Sequence, residues 1–117
     1  MPQLITQPTL IPVPGGKTIE EYIGHVNSND SKVSVAVMHA PAGWSEPAQT
    51  PQFDEYTIVL SGALEIEHEG GTTTVKGGQA ILTRAGERVR YLTKEDAHYV
   101  AICLPAFSPE LVNREDD

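Results

Sequence analysis

The sequence predicts an all-β fold, an antiparallel sandwich, jelly roll or small barrel, on three observations. Nine prolines and ten glycines cut the 117 residues into short pieces. Those pieces are rich in Val, Ile, Thr and Tyr, the residues that suit a pleated, half-buried surface. Strand-like segments recur roughly every 8 to 12 residues, with no helical periodicity between them.

In chain order, residues 1–16 carry Pro2, Pro8, Pro12 and Pro14 and end at Gly15-Gly16. Proline cannot donate to a ladder, so this segment reads as an edge strand or an arm draped over a sheet. Thr18 to Val26 reads as a strand, closed by the turn-rich Asn27-Ser28-Asn29-Asp30. Val33, Val35 and Val37 then alternate with Ser34 and Ala36, which predicts a strand with the valines on its buried face. Phe53 to Ser61 and Ala63 to Glu67 are two strand segments flanking Gly62, and Glu69-Gly70-Gly71 marks a hairpin returning through Thr72 to Val75. Turns at Lys76-Gly77-Gly78 and Ala85-Gly86-Glu87 separate strands at Ala80 to Thr83 and Val89 to Leu92, and a last strand runs from His98 to Leu104. Ser108 with Pro109 predicts one helical turn, and Glu115-Asp116-Asp117 a solvated acidic end. The whole, residues 1–117, reads as one domain: an arm over 1–16, a barrel core over 33–104 and a tail over 105–117.

Composition excludes several function classes. Eight Lys and Arg against sixteen Asp and Glu give a net charge of −8, which disfavours nucleic acid and anionic lipid as partners. No apolar run is long enough to span a membrane, and the N-terminus lacks the basic start and cleavage site of a leader, so a cytoplasmic protein is expected. A single cysteine, Cys103, supplies neither an internal disulfide nor a thiolate cage. No P-loop, dinucleotide fingerprint or nucleophile motif is present.

From Gly43 to Gly62, in GWSEPAQTPQFDEYTIVLSG, the chain resembles the first motif of the cupin superfamily, where Glu55, six residues and Gly62 match. A second stretch is similar to the second motif: Gly78, five residues, Arg84-Ala85-Gly86, then Val89 where that motif carries a His. Fifteen residues separate Gly62 from Gly78, as in small bacterial cupins. The resemblance covers roughly residues 33–104 and implies an antiparallel double-stranded β-helix, or jelly-roll barrel. It departs at the metal ligands, for the imidazole positions hold Ala48 and Thr50, or Gln49 and Pro51 in the other register, and Val89. Three imidazoles and a carboxylate are the family's usual set, so the expectation is no metal and no cofactor.

Period-two alternation from the motif glycines turns Glu55 inward with Thr57 and Val59, and Tyr91 inward with Val89. Glu55 is then a general acid or base, a ligand anchor, or a carboxylate held by Gln49, Gln52, Tyr91 or Arg84 in a structural network. Tyr91 offers a phenolic donor. Glu46, Gln49 and Gln52, with Asp54, lie in the loop before the Glu55 strand, where a barrel mouth would present them to a ligand. Trp44 with Phe53 suits a pocket wall or a dimer contact. His39 and His98 are further candidate ligand contacts, the first at a strand end before Pro41, the second opening the last strand. None of the four histidines lies within four residues of another, so no metal spacing exists. Arg84, Arg88 and Arg90 form a basic patch suited to ion pairs between chains.

Three functions follow. The first is a cupin barrel that binds a small polar molecule in its mouth without a transition metal. The second is a metal-independent isomerase, epimerase or lyase with Glu55 and Tyr91 moving protons. The third is a metal site of unusual ligands, Glu55 with Glu46, Gln49 or His98. A homodimer is expected, because the proline-rich arm has little of its own to bury against.

Overall fold

The computed structural model describes residues 1–116, so Asp117, the last residue of the expected acidic end, lies outside the described residues. Eight strands precede one turn of helix: β1 (Thr9–Leu10), β2 (Thr18–Ile23), β3 (Ser34–Ala40), β4 (Asp54–His68), β5 (Gly71–Lys76), β6 (Ala80–Thr83), β7 (Arg90–Leu92), β8 (Ala97–Leu104) and α1 (Pro109–Val112). Every strand pair is antiparallel.

The long strand β4 organises the barrel. Its first part pairs with β8 and β6, and its second, from Ala63 onward, with β5 and β7. Between them sits Gly62 at φ 74°, where a Cβ would collide with the backbone carbonyl of Asp96. One strand thus serves both sheets, and the two segments expected around Gly62 are one continuous element. The sheets close over a core of Val59, Leu64, Ile66, Val75, Val89, Tyr91 and Tyr99.

The register corrects the expected face of β3. Ser34, Ala36 and Met38 pair with Cys103, Ala101 and Tyr99 on the inner side, and Val35 and Val37 point outward beside Ile102 and Val100. Hydrophobicity misleads here because the outer surface is apolar too. The inner side carries small residues, which leave room for a cavity.

The arm also finds a partner within the chain. β1 adds to the edge of β2, and Pro12 to Gly15 continue across the barrel mouth. The tail after α1 is strapped across the loop at 48–52: the Glu115 amide donates to the Ala48 carbonyl at 2.8 Å, and the Gln52 amide to Leu111 at 2.8 Å. The arginines expected to bridge chains pair internally instead, Arg84 with Asp54, Arg88 with Glu115 and Arg90 with Glu67. Glu115 is therefore an ion-pair partner rather than a free acidic end. No helix among the described residues is long and apolar enough to cross a membrane.

Candidate functional site

An open cavity of about 1310 Å³ runs from the barrel interior out past the arm and the α1 segment, larger than a single drug-sized ligand needs. Its wall is mostly apolar, with Ile19, Met38, Trp44, Tyr99 and Ala101 prominent, and polar groups reach it from several elements. Among them are Lys17, just before β2; Glu46 and Gln49, from the loop; Glu55, from β4; Tyr91, from β7; and Arg114, from the tail, while Glu21 of β2, also on the wall, accepts from the Val26 and Asn27 amides. Glu55 faces inward because it alternates with the buried Thr57 and Val59, and Tyr91 because β7 pairs with the second half of β4.

Burial governs the chemistry of this cluster. Desolvation lifts the Glu55 carboxyl to about 7, with Glu46 adding to the rise; Lys17, a 3.4 Å hydrogen bond from the Thr57 hydroxyl, and Arg114 oppose it. The same desolvation lowers the Lys17 ammonium, against Glu46 and Glu55, which hold it up. The Lys17 nitrogen lies 4.3 Å from the Trp44 ring centre and 5.5 Å from that of Tyr99. Burial, then the negative charge of Glu55, pushes Tyr91 well above the usual phenol range, and its hydroxyl sits 3.4 Å from that of Thr83. Cys103 is likewise raised by burial and by Glu55, so it stays a thiol. Near neutrality Glu55 is the carboxyl here whose proton is in balance, while the phenols keep theirs.

Of the residues expected at the site, Glu46, Gln49, Glu55 and Tyr91 line the cavity together. Gln52 does not; it is exposed, tied by its backbone to the tail. His39 and His98 do not either. They pair across β3 and β8 on the outer face, exposed, with ring centres 6.2 Å apart. The outward phase that carries Val37 and Val100 carries them as well. Gln49, Gln52, Tyr91 and Arg84 make no hydrogen bond to Glu55 among the described residues; Arg84 binds Asp54 and Tyr56 on the outside. Gln49 instead accepts from Arg114, at 2.8 and 3.3 Å. Trp44 is a cavity wall, and Phe53 packs apart from it against Phe107.

Lys17, Tyr99 and Arg114 were not read from the sequence. Lys17 could have been found, since it shares the inward phase of Ile19 and Glu21 just after the Gly15-Gly16 stop. Tyr99 follows from the face of β8 opposite Val100. Nothing local marks Arg114, which reaches Gln49 across 65 residues of chain.

A cupin metal does not fit this donor set. Ala48 and Val89 stand buried at two imidazole positions and offer no lone pair. Of the unusual set, His98 points out of the barrel and the Gln49 oxygen accepts from Arg114, which leaves the carboxylates of Glu55 and Glu46, the latter 3.5 Å from Arg114. Among the described residues no three His, Cys, Asp or Glu side chains cluster as a metal site would require.

An antiparallel double-stranded β-helix, closed by a strand shared between its sheets around an interior cavity, defines a cupin. Within the cupins, the chain belongs to the family described as ethanolamine utilisation protein EutQ, which matches residues 20–108. Solved structures share the fold. The polyketide cyclase RemF from Streptomyces resistomycificus superposes with a TM-score of 0.76 at 19% identity, over 100% of this chain and 87% of that one. KdgF from a Halomonas species gives 0.73 at 17%, over 88% and 93%. The EutQ protein of Clostridium difficile gives 0.65 at 17%, over 78% and 65%. A Myxococcus xanthus protein named endoribonuclease YbeY is 45% identical over 108 residues, 91% of this chain; the chain spans only 37% of that relative's length.

Proposed function

We propose that the protein binds a small organic molecule inside the barrel and does so without a transition metal. The observation that carries this reading is the cavity itself, about 1310 Å³ of mostly apolar space into which Glu55, Tyr91, Gln49 and Lys17 bring polar groups. Such a combination of an apolar body site with a few convergent polar groups suits a small ligand. The ribonuclease activity named for the Myxococcus relative is not carried over to this chain, whose net charge of −8 opposes a phosphate backbone.

Elemental analysis of the purified protein, joined to thermal unfolding with and without a chelator, tests the metal-free part. Well under one equivalent of any transition metal and an unchanged melting temperature are expected. A tightly held ion would add about 1.4 kcal/mol for each tenfold excess over its dissociation constant, so its removal would be visible. Stoichiometric metal, lost together with stability in Glu55→Ala, overturns the reading.

A second reading, a metal-independent isomerase, epimerase or lyase, is favoured by one specific feature: burial holds the Glu55 carboxyl at about 7, where a general acid or base works best near neutrality. Tyr91, held protonated, would orient the substrate as a hydrogen-bond donor rather than exchange its proton. Solvent deuterium entering a bound carbonyl compound next to its carbonyl, and ceasing in Glu55→Gln, would establish it; deuterium entering equally in that variant would reject it.

A further inference from the structure

The charged groups inside the cavity are unevenly engaged. Arg114 donates twice to the Gln49 side-chain oxygen and stands 3.5 Å from the Glu46 carboxylate, so these three groups satisfy one another. Lys17 makes no hydrogen bond or ion pair among the described residues. Its nitrogen rests on the faces of Trp44 and Tyr99, which attract the cation but accept none of its N–H bonds in the way an oxygen would. A half-buried cation against an apolar wall, with Glu46 and Glu55 acting on it only through charge, gains from an anionic acceptor that takes its N–H bonds.

We propose that the ligand of this barrel is an organic monoanion with an apolar body, its charged end held by the Lys17 ammonium on the side of the cavity that Glu55 also lines. The inference rests on the reading of the cavity as a binding site and names the class of molecule that it takes. One uncommitted cation fits one negative charge. The wall of Ile19, Met38, Trp44 and Ala101 fits a body that is planar or aliphatic rather than sugar-like. A cationic ligand would meet Lys17 and Arg114.

Glu55 then has two states with different partners. With the cavity free of anion, the Glu55 carboxylate acts on Lys17 as a counter-charge along with Glu46, and of the two only Glu46 is already paired with Arg114. With an anion bound, two negative groups would share that cation, and Glu55 relieves the repulsion by taking a proton and donating its O–H to the ligand. The other groups facing it are Glu46, Thr57, Tyr91, Cys103 and Arg114; of these only Glu46 is a second carboxylate, and it is engaged with Arg114. Anion binding above neutrality is therefore coupled to uptake of up to one proton, and weakens as pH rises.

Titration calorimetry with three isosteric probes tests this: 2-naphthoate, 2-naphthamide and 2-naphthylmethylamine, at pH 8 in two buffers of different ionisation enthalpy. Naphthoate should bind at least about tenfold more tightly than the amide, as a charged hydrogen bond allows, with the amine weakest. Naphthoate binding should also take up protons. Lys17→Met should cost naphthoate about tenfold and leave the amide unchanged, which also shows that the barrel is intact; Lys17→Arg should retain the preference. Glu55→Gln should abolish proton uptake, and Glu46→Gln should not. Equal affinity for acid and amide, or indifference to Lys17→Met, overturns the anion assignment and leaves the cavity reading standing. Proton uptake that persists in Glu55→Gln overturns the part given to that residue. Failure of all three probes to bind overturns both readings.

Discussion

Glu55 links a single residue to the stability of the whole barrel. Its carboxyl titrates near the ordinary value in the unfolded chain and at about 7 in the folded one, so between those points the folded state holds more protons. Stability accordingly falls as pH rises through that window and levels off above it, by a total on the order of 3 kcal/mol. Glu55→Gln removes the charge that must be buried. Thermal unfolding of this variant between pH 5 and 8 should lack the decline and exceed the wild type at pH 8, and a wild-type curve that rises over the same range would reject the argument. The inward placement of Glu55 and Tyr91 was legible in the sequence because period-two alternation is rigid once the motif glycines fix the register. The cation opposite was harder to read. Lys17 is separated from Glu55 by most of a sheet, and its nearness follows from closure of the barrel rather than from any local pattern. His39 and His98 show the converse error, where chemistry-bearing residues sit on strands whose outward phase carries them to the surface.

At the level of elements, the change of partners at Gly62 is what lets β4 belong to two sheets. Gly62 makes it possible twice over, with a left-handed φ of 74° and with no Cβ to strike the Asp96 carbonyl. Gly62→Ala combines a left-handed penalty of about 1–2 kcal/mol with an overpacking cost of about 1–3 kcal/mol, and should lower the denaturant midpoint accordingly. A variant within about 0.5 kcal/mol of wild type would mean that the strand can pivot elsewhere. By contrast Arg88→Ala, which removes an exposed pair with Glu115, should cost no more than about 1 kcal/mol in the same measurement. Strand positions were readable from glycine and proline punctuation, and β6 begins and ends where the sequence implied. The face of β3 was not readable, because a barrel that keeps an open interior lines it with Ser34, Ala36 and Ala101 and places its valines outside.

That outer surface decides how the whole molecule behaves. Pairing across β6, β4, β8 and β3 sets Leu82, Tyr56, Ile102 and Val35 in one row, and Ala80, Ile58, Val100 and Val37 in the next. Ile58, Leu60, Leu82 and Leu104 are 42%, 51%, 40% and 44% exposed, spread along the same outer sheet face. The arm no longer argues for association, since it is occupied with β2 and the barrel mouth. The apolar face argues for it more strongly, because contiguous patches of this kind are uncommon on monomers and two copies of one flat face are self-complementary about a twofold axis. Each fully covered aliphatic side chain contributes about 1.5–3 kcal/mol, so a few from each copy suffice to hold a pair at micromolar concentration. Light scattering should report a dimer. Ile58→Glu places a charge in the centre of the face without touching the interior, and should give a monomer whose melting temperature is that of the isolated barrel and whose naphthoate affinity is unchanged. A wild-type protein that is monomeric at micromolar concentration rejects the dimer, and one that stays dimeric with Ile58→Glu moves the contact to another surface.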